Sequence, residues 1–206
     1  MTALNQIVLA TSNAGKMREF AAILEPLRIR LVSQSELGVP EVAEPHPTFV
    51  ENALTKARHA SLCTGLPALA DDSGLCVSAL GGDPGVHSAR FAEDEHGARS
   101  DHANNEKLVR LLGDQTDRRA SYVALLVLVR RHDDPLPLIA QGVWHGEVID
   151  LPRGANGFGY DPHFYLPEHG MTAAEMSPAL KNQLSHRAIA LRVLLDMLRA
   201  SRQINV

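Results

Sequence analysis

The sequence predicts an α/β fold in which a mixed β-sheet is covered by helices, and three observations carry that expectation. Short apolar runs alternate with helix-like segments early in the chain, longer apolar runs then follow one another, and the chain closes on an amphipathic stretch. Early alternation suits parallel strands joined by crossover helices, and the later runs suit adjacent strands or a hairpin in the same sheet. With 206 residues, 45% of them hydrophobic, the chain is long enough for one large domain with a sizeable core, with room for two small lobes.

The elements follow in order. Ile7 to Ala10 is a short apolar strand, Thr11 to Lys16 a polar loop, Met17 to Leu24 a helix, and Ile29 to Ser33 a second strand. A loop rich in Pro and Glu spans Glu36 to Pro47. Thr48-Phe49-Val50-Glu51 has the form of a capping box, with Thr at the cap and Glu three residues on. Val50, Leu54 and Ala57 then recur at helical spacing, so a helix with one buried stripe runs to about Cys63. Leu66 to Ala70 is a strand whose carboxyl end delivers Asp71-Asp72-Ser73-Gly74. Gly81 to Lys107 is polar and reads as surface loop with a short helix. Glu106 to Leu112 is helical, while Tyr122 to Arg130 and Leu138 to Ile149 are strands. Thr172-Ala173-Ala174-Glu175 has the form of a second capping box. The final helix, His186 to Ser201, places Leu191, Leu194, Leu195 and Leu198 on one face.

Composition excludes several classes of function. The chain is too apolar for disorder. A formal charge of −4 provides no basic excess for a nucleic-acid backbone, and nine aromatic residues (five Phe, three Tyr, one Trp) are few for a base-stacking platform. A nucleic-acid polymer is therefore not the expected partner, whereas a small polyanion in one local pocket remains open. The longest apolar run, Tyr122 to Val129, is a strand and not a membrane span, and the first residues lack a basic, apolar leader. A cytoplasmic protein is expected. Cys63 and Cys76 are expected to be buried free thiols. His87, His96 and His102 lack the spacing of a zinc site.

Four constellations carry chemistry. Thr11-Ser12-Asn13-Ala14-Gly15-Lys16 joins a strand to a helix, where backbone N–H groups, the helix dipole and the Lys16 charge suit a phosphate. It is not a Walker A loop, because Ala10 and Met17 stand where Gly and Ser or Thr are needed; a capped turn with an exposed Lys is the other reading. Asp71-Asp72 presents two carboxylates after an apolar strand, hard oxygen donors suited to Mg²⁺, or else turn residues. Successive strand side chains point to opposite faces, so one of the two is expected to enter the site. Gly157-Phe158-Gly159-Tyr160-Asp161-Pro162 allows close approach to a flat ligand, or forms a tight turn with its rings in the core. Ser185-His186-Arg187 opens the last helix with cations that oppose the macrodipole, as an anion or carbonyl site would require; Lys181 adds a further cation, and a solvent-exposed helix start is the alternative. No nucleophile elbow or Cys–His arrangement suggests covalent catalysis.

In this order and spacing, these pieces together with Thr48-Phe49-Val50-Glu51-Asn52-Ala53 resemble the inosine/xanthosine triphosphate pyrophosphatases, nearly end to end. The resemblance implies a long central mixed sheet flanked by helices, two lobes around a cleft, and usually a homodimer. It implies Mg²⁺-dependent cleavage of a nucleoside triphosphate between the α- and β-phosphates, giving a monophosphate and pyrophosphate. Position by position, it implies that Thr11, Ser12, Asn13, Ala14, Gly15 and Lys16 cradle the triphosphate. Asp72 is the proton acceptor for the attacking water and a metal ligand, with Ser73 beside the substrate. Phe158, Gly159, Tyr160 and Asp161 shape the base pocket, Lys181 contacts the nucleotide, and His186 with Arg187 read the base. Glu44 matches the second acidic metal position, but Pro45-His46-Pro47 replaces a Gly-containing stretch after it, and Glu41 is the substitute.

The chemistry of the residues agrees. Phosphoanhydride hydrolysis needs positioning and charge stabilisation more than a covalent nucleophile. Hypoxanthine and xanthine offer an acceptor at the six-position where adenine offers a donor, so buried donors discriminate by hydrogen-bond mismatch. The alternatives are a pyrophosphatase for other modified nucleotides, a nucleotide-binding module without turnover, and a nucleoside kinase. The third constellation with Ser185-His186-Arg187, the pair Asp71-Asp72 with Lys16, and the missing Walker A loop weigh against them in turn.

Overall fold

The structure, a computed structural model, describes residues 5–24, 29–93 and 99–201. In chain order it forms β1 (Gln6–Leu9), α1 (Ala14–Leu24), β2 (Arg30–Ser33), α2 (Phe49–Thr64), β3 (Ala68–Val77) and α3 (Asp101–Leu112). There follow β4 (Arg119–Val129), β5 (Leu138–Val148), β6 (Phe164–Leu166), β7 (Met171–Thr172), α4 (Pro178–Leu184) and α5 (His186–Ala200). The strands make one seven-stranded sheet of order β2-β1-β3-β4-β5-β6-β7. β1 pairs in parallel with β2 and β3, while β6 is antiparallel to β5 and β7, so the sheet is mixed as expected. No helix among the described residues is long and apolar enough to cross a membrane.

The chain divides into two compact units. Unit 1 comprises Met1–Asp72, Ala124–Gly142 and Arg187–Val206; unit 2 comprises Ser73–Val123 and Val143–His186. In unit 1, strand alternation sorts the core into two clusters. Ile7, Leu9, Leu69, Ala124, Leu126 and Leu128 pack with Phe20 of α1 and Leu191, Leu194 and Leu198 of α5. Their neighbours Val8, Ala10, Ala68, Ala70, Val127 and Val129 pack with Ala53, Ala57 and Ala60 of α2. Small alanines let α2 lie close to the sheet, with Val50 and Leu54 only partly buried at the margin of the stripe. Removing a fully buried leucine such as Leu191 would cost about 2–5 kcal/mol, through lost transfer energy and a cavity.

Several expected boundaries move, each for a local reason. α1 begins at Ala14, inside the expected loop, because the Asn13 side chain accepts from the N–H groups of Gly15 at 2.8 Å and Lys16 at 3.0 Å. The Thr48 cap forms as expected, its hydroxyl accepting from the Glu51 N–H, and α2 ends at Gly65 in the left-handed conformation. β3 does not stop at Ala70. It continues to Val77, so Asp71 and Asp72 lie inside a strand, where charged partners from neighbouring helices compensate them.

α3 starts at Asp101, behind a Ser100 cap. The expected loop before it contains one short 3₁₀ turn, Gly85–Arg90, and another, Ser78–Leu80, directly precedes that loop. Thr172-Ala173-Ala174-Glu175 opens no helix. Glu175 does accept from the Thr172 N–H at 2.7 Å, but the Thr172 hydroxyl donates to the Arg153 carbonyl instead of capping, and α4 starts later behind Ser177. Ser185 caps the end of α4. Cys63 is exposed on α2, not buried. His96 lies outside the described residues, and no group of three or more His, Cys, Asp or Glu among the described residues is arranged to hold a metal.

Candidate active site

The two adjacent aspartates of β3 inherit the two faces of unit 1. Asp71 follows Leu69 in the alternation and meets α1 and α5: Lys16 Nζ lies 2.7 Å from its Oδ2, and Arg187 Nε 3.3 Å from the same oxygen. Asp72 follows Ala70 and meets α2, with Lys56 Nζ 2.9 Å from its Oδ1. Lys56 also donates to Glu44 Oε2 at 3.0 Å, so one ammonium gathers both carboxylates proposed by resemblance for the metal. Glu19, one turn beyond Lys16 on α1, takes the Arg187 guanidinium at 2.8 Å. The two carboxylates thus point to opposite faces, as alternation suggested, and each meets a charged partner there.

The charges hold one another in defined states. Burial opposes ionisation of Asp71, but Lys16 and Arg187 outweigh it and keep the carboxyl well below the usual range. Burial pushes the Asp72 carboxyl up to about 6, against the pull of Lys56 and with the Glu44 carboxylate acting in the same upward sense. Burial likewise works against Glu44, yet Lys56 draws it below its ordinary value. Burial lowers Lys16, with Asp71 restoring part of the loss. For Lys56, the burial cost is exceeded by Asp72 and Glu44, so its pKa rises. Asp72 Oδ2 is buried without a hydrogen bond among the described residues.

The strand-to-helix loop is organised before any ligand is considered. Thr11 Oγ1 accepts from the Asn13 N–H at 3.1 Å, and the Ser12 hydroxyl donates to Glu41. The N–H groups of Gly15 and Lys16 belong to Asn13, so the expected row of open amides is partly taken. Ala14 opens α1; its side chain lies outside the described positions. Of the two acidic alternatives, Glu44 joins Asp72 through Lys56, while Glu41 is held by Ser12.

Unit 2 carries the remaining residues. Asp161 is buried and accepts from the Phe158 N–H at 2.9 Å and from the Lys181 ammonium, itself buried on α4. Lys181 Nζ stands 5.1 Å from the Phe158 ring centroid, within cation–π range. Gly157 has φ +79°, and a Cβ there would fall 1.9 Å from Asp161 Oδ2, so only glycine fits. Tyr160 is buried and spends its hydroxyl on the Ser88 carbonyl at 2.8 Å. The His186 ring stacks on Tyr122, with centroids 4.7 Å apart and planes 7° apart. Ser73 is half-buried at the first position of the unit.

Sequence reasoning missed Lys56 and Glu19. A lysine inside the stripe Ala53, Ala57 and Ala60 was a usable signal, because a charge among buried alanines needs a partner. Glu19, three residues after Lys16, reads locally as an ordinary surface helix pair.

A family model described as the Ham1 family matches residues 7–197. The chain is 68% identical over 198 residues to a dITP/XTP pyrophosphatase of Bordetella parapertussis, covering 96% of this chain and 93% of the relative. It is 61% identical over 196 residues to a dITP/XTP pyrophosphatase of Ralstonia nicotianae, covering 95% and 98%. A solved structure of a HAM1 protein from Coxiella burnetii matches with a TM-score of 0.88 at 48% identity, covering 95% of this chain and 98% of that one. The Staphylococcus aureus Ham1 protein matches with a TM-score of 0.83 at 39% identity, covering 95% and 99%.

Proposed function

The chain belongs to the Ham1 family, and from that premise we propose that it hydrolyses the non-standard purine triphosphates ITP, dITP and XTP to the monophosphate and pyrophosphate. The observation that carries the reading is the paired carboxylate of β3: Asp71 anchored by Lys16 and Arg187, Asp72 gathered with Glu44 by Lys56. Such a set holds positive charge for phosphate and keeps a carboxylate ready for a water proton.

Lys16 and Lys56 orient and stabilise phosphate oxygens as negative charge moves toward the leaving pyrophosphate. Thr11, Ser12 and Asn13 with the start of α1 form the rest of the phosphate cradle. Asp72 accepts a proton from the attacking water, and its buried Oδ2 has no competing hydrogen bond among the described residues. Those same features suit a divalent cation: two hard carboxylates, Glu44 and Asp72, gathered by Lys56 and with Asp72 Oδ2 buried and unbonded among the described residues, fit Mg²⁺, which takes one or two carboxylates and leaves other positions to substrate and water. When bound, Mg²⁺ supplies charge neutralisation at the phosphates and acidification of water.

Phe158, Gly159, Tyr160 and Asp161 shape the base site, with Lys181, His186, Arg187 and Ser73 contacting the nucleotide. Donors facing the six-carbonyl of hypoxanthine or xanthine leave adenine with an unpaired buried donor, a mismatch able to give about 10⁴-fold discrimination. The same reading implies a cytoplasmic homodimer, for which sedimentation at twice the protomer mass is the expected result.

The deciding experiment is a substrate panel with pyrophosphate and orthophosphate separated. Mg²⁺-dependent pyrophosphate release from ITP, dITP and XTP, with ATP and GTP far poorer, is expected. Orthophosphate as the primary product, or equal rates on ATP, would sink the reading.

A further inference from the structure

We propose that Asp101 of α3 is a positioning residue for base selection, acting through the backbone of Gly159; the proposal rests on the reading of Phe158–Asp161 as the base-binding segment. Gly159 donates its N–H to Asp101 Oδ2 at 2.7 Å, and its carbonyl accepts from Asn105 Nδ2 at 2.9 Å. Asp101 and Asn105 stand at i and i+4, on one face of a single helix. Both polar groups of one loop peptide position are therefore held by one rigid element, and the N–H bond to a carboxylate is the strong, charge-assisted kind.

The placement matters because Gly159 has φ +63° and no side chain of its own to lock it. Its neighbours have separate anchors: the Phe158 N–H is held by Asp161, and the Tyr160 hydroxyl by the Ser88 carbonyl. Gly159 is the link between them, and its conformation is set from outside the loop, by α3. Discrimination by hydrogen-bond mismatch requires donors and rings placed to within a fraction of an ångström, so loosening this link lets the segment adapt to the wrong base.

α3 itself does not depend on Asp101 for its place. Ser100 caps it, Leu108 and Leu112 are fully buried, and Asn104 accepts from the Ala92 N–H at 2.7 Å. A change at Asp101 therefore releases the loop and leaves the helix seated.

The test compares Asp101→Ala, Asp101→Asn and Asn105→Leu with Phe158→Ala, measuring kcat and KM for ITP and ATP by pyrophosphate release, alongside thermal melting. Asp101→Ala is expected to raise KM for ITP more than it lowers kcat and to narrow the ITP-to-ATP ratio of kcat/KM about tenfold, the scale of one charge-assisted hydrogen bond. Asp101→Asn keeps an acceptor oxygen and should restore most of the ratio. Asn105→Leu releases the carbonyl side with Asp101 intact and should narrow the ratio to a smaller degree, so the question stays decidable if Asp101→Ala fails to fold. Unchanged base ratios in Asp101→Ala, or in Asn105→Leu where the former does not fold, overturn the proposal. If Phe158→Ala still narrows the ratio in that case, the base-binding reading survives alone; if it does not, that reading falls too.

Discussion

In unit 1 the candidate catalytic side chains are held by opposite charges from three helices, whereas in unit 2 the segment Phe158–Asp161 is held largely through its own backbone and one buried pair. Asp71 and Asp72 each face a lysine, and Arg187 closes a further link to Glu19. Gly159 and Phe158 are instead gripped at their peptide groups by Asp101, Asn105 and Asp161. The difference suits the two tasks proposed above. Buried charges are tolerated only with mutual compensation, which suits the phosphate and proton-transfer roles proposed for unit 1. A surface proposed to distinguish flat bases needs position more than charge, and hydrogen bonds to the backbone fix position without adding a net field.

This contrast can be broken first at Asp72. Asp72→Asn keeps the shape and one acceptor but cannot take a proton, so kcat on ITP should fall by about 10²–10⁴-fold while KM changes little. Normal turnover in that variant would remove Asp72 from the mechanism. Next in size is Arg187→Ala, which leaves buried Asp71 and half-buried Glu19 without their guanidinium and should cost about 3–5 kcal/mol of stability, read in urea titrations. Because Arg187 is also proposed to read the base, the surviving activity should show a narrower ITP-to-ATP ratio.

Lys16→Ala should lower kcat/KM by about 10–100-fold for ITP and ATP alike, since the lysine is proposed to meet phosphate and not base. A change in base preference there would erase the distinction between the two units. The smallest effect belongs to a unit 1 charge whose partner is Arg130 and not one of the proposed site residues. Asp134 is buried and accepts from the Arg130 backbone N–H at 3.0 Å, from Arg130 Nε at 2.7 Å, and from the Leu136 N–H at 3.0 Å. Its hydrogen bonds with the Arg130 side chain hold its carboxyl well below the usual range. A folded pKa below the unfolded one stabilises the protein above about pH 4, and that contribution is lost as pH falls through the folded value. Asp134→Asn should therefore cost about 1–2 kcal/mol at pH 7, with the gap from the parent shrinking as pH falls below about 4.

What could be read in the sequence was local. The strand at Ile7–Leu9, the Thr48 cap with its helix, and the leucine face of the last helix all depend on spacings of a few residues, and each appears in the structure. Local signals also misled where a distant group took the atom they relied on. Thr172 and Glu175 make half of a capping box, but the Thr172 hydroxyl goes to Arg153, 19 residues away, and no helix starts.

The sequence by itself determined the alternation of apolar strands and helices, the adjacent carboxylates Asp71 and Asp72, and the order of segments by which the family is legible. Only the tertiary structure decided what those carboxylates meet. β3 lies between β1 and β4, so residues of alternating parity face different helices. That geometry assigns Lys56 to Asp72 and brings Arg187 to Asp71 across 116 positions. It also sets Asp101 against Gly159 across 58. Periodicity and capping are written within a turn or a strand, but a buried charge finds its partner only after sheet order has chosen its neighbours.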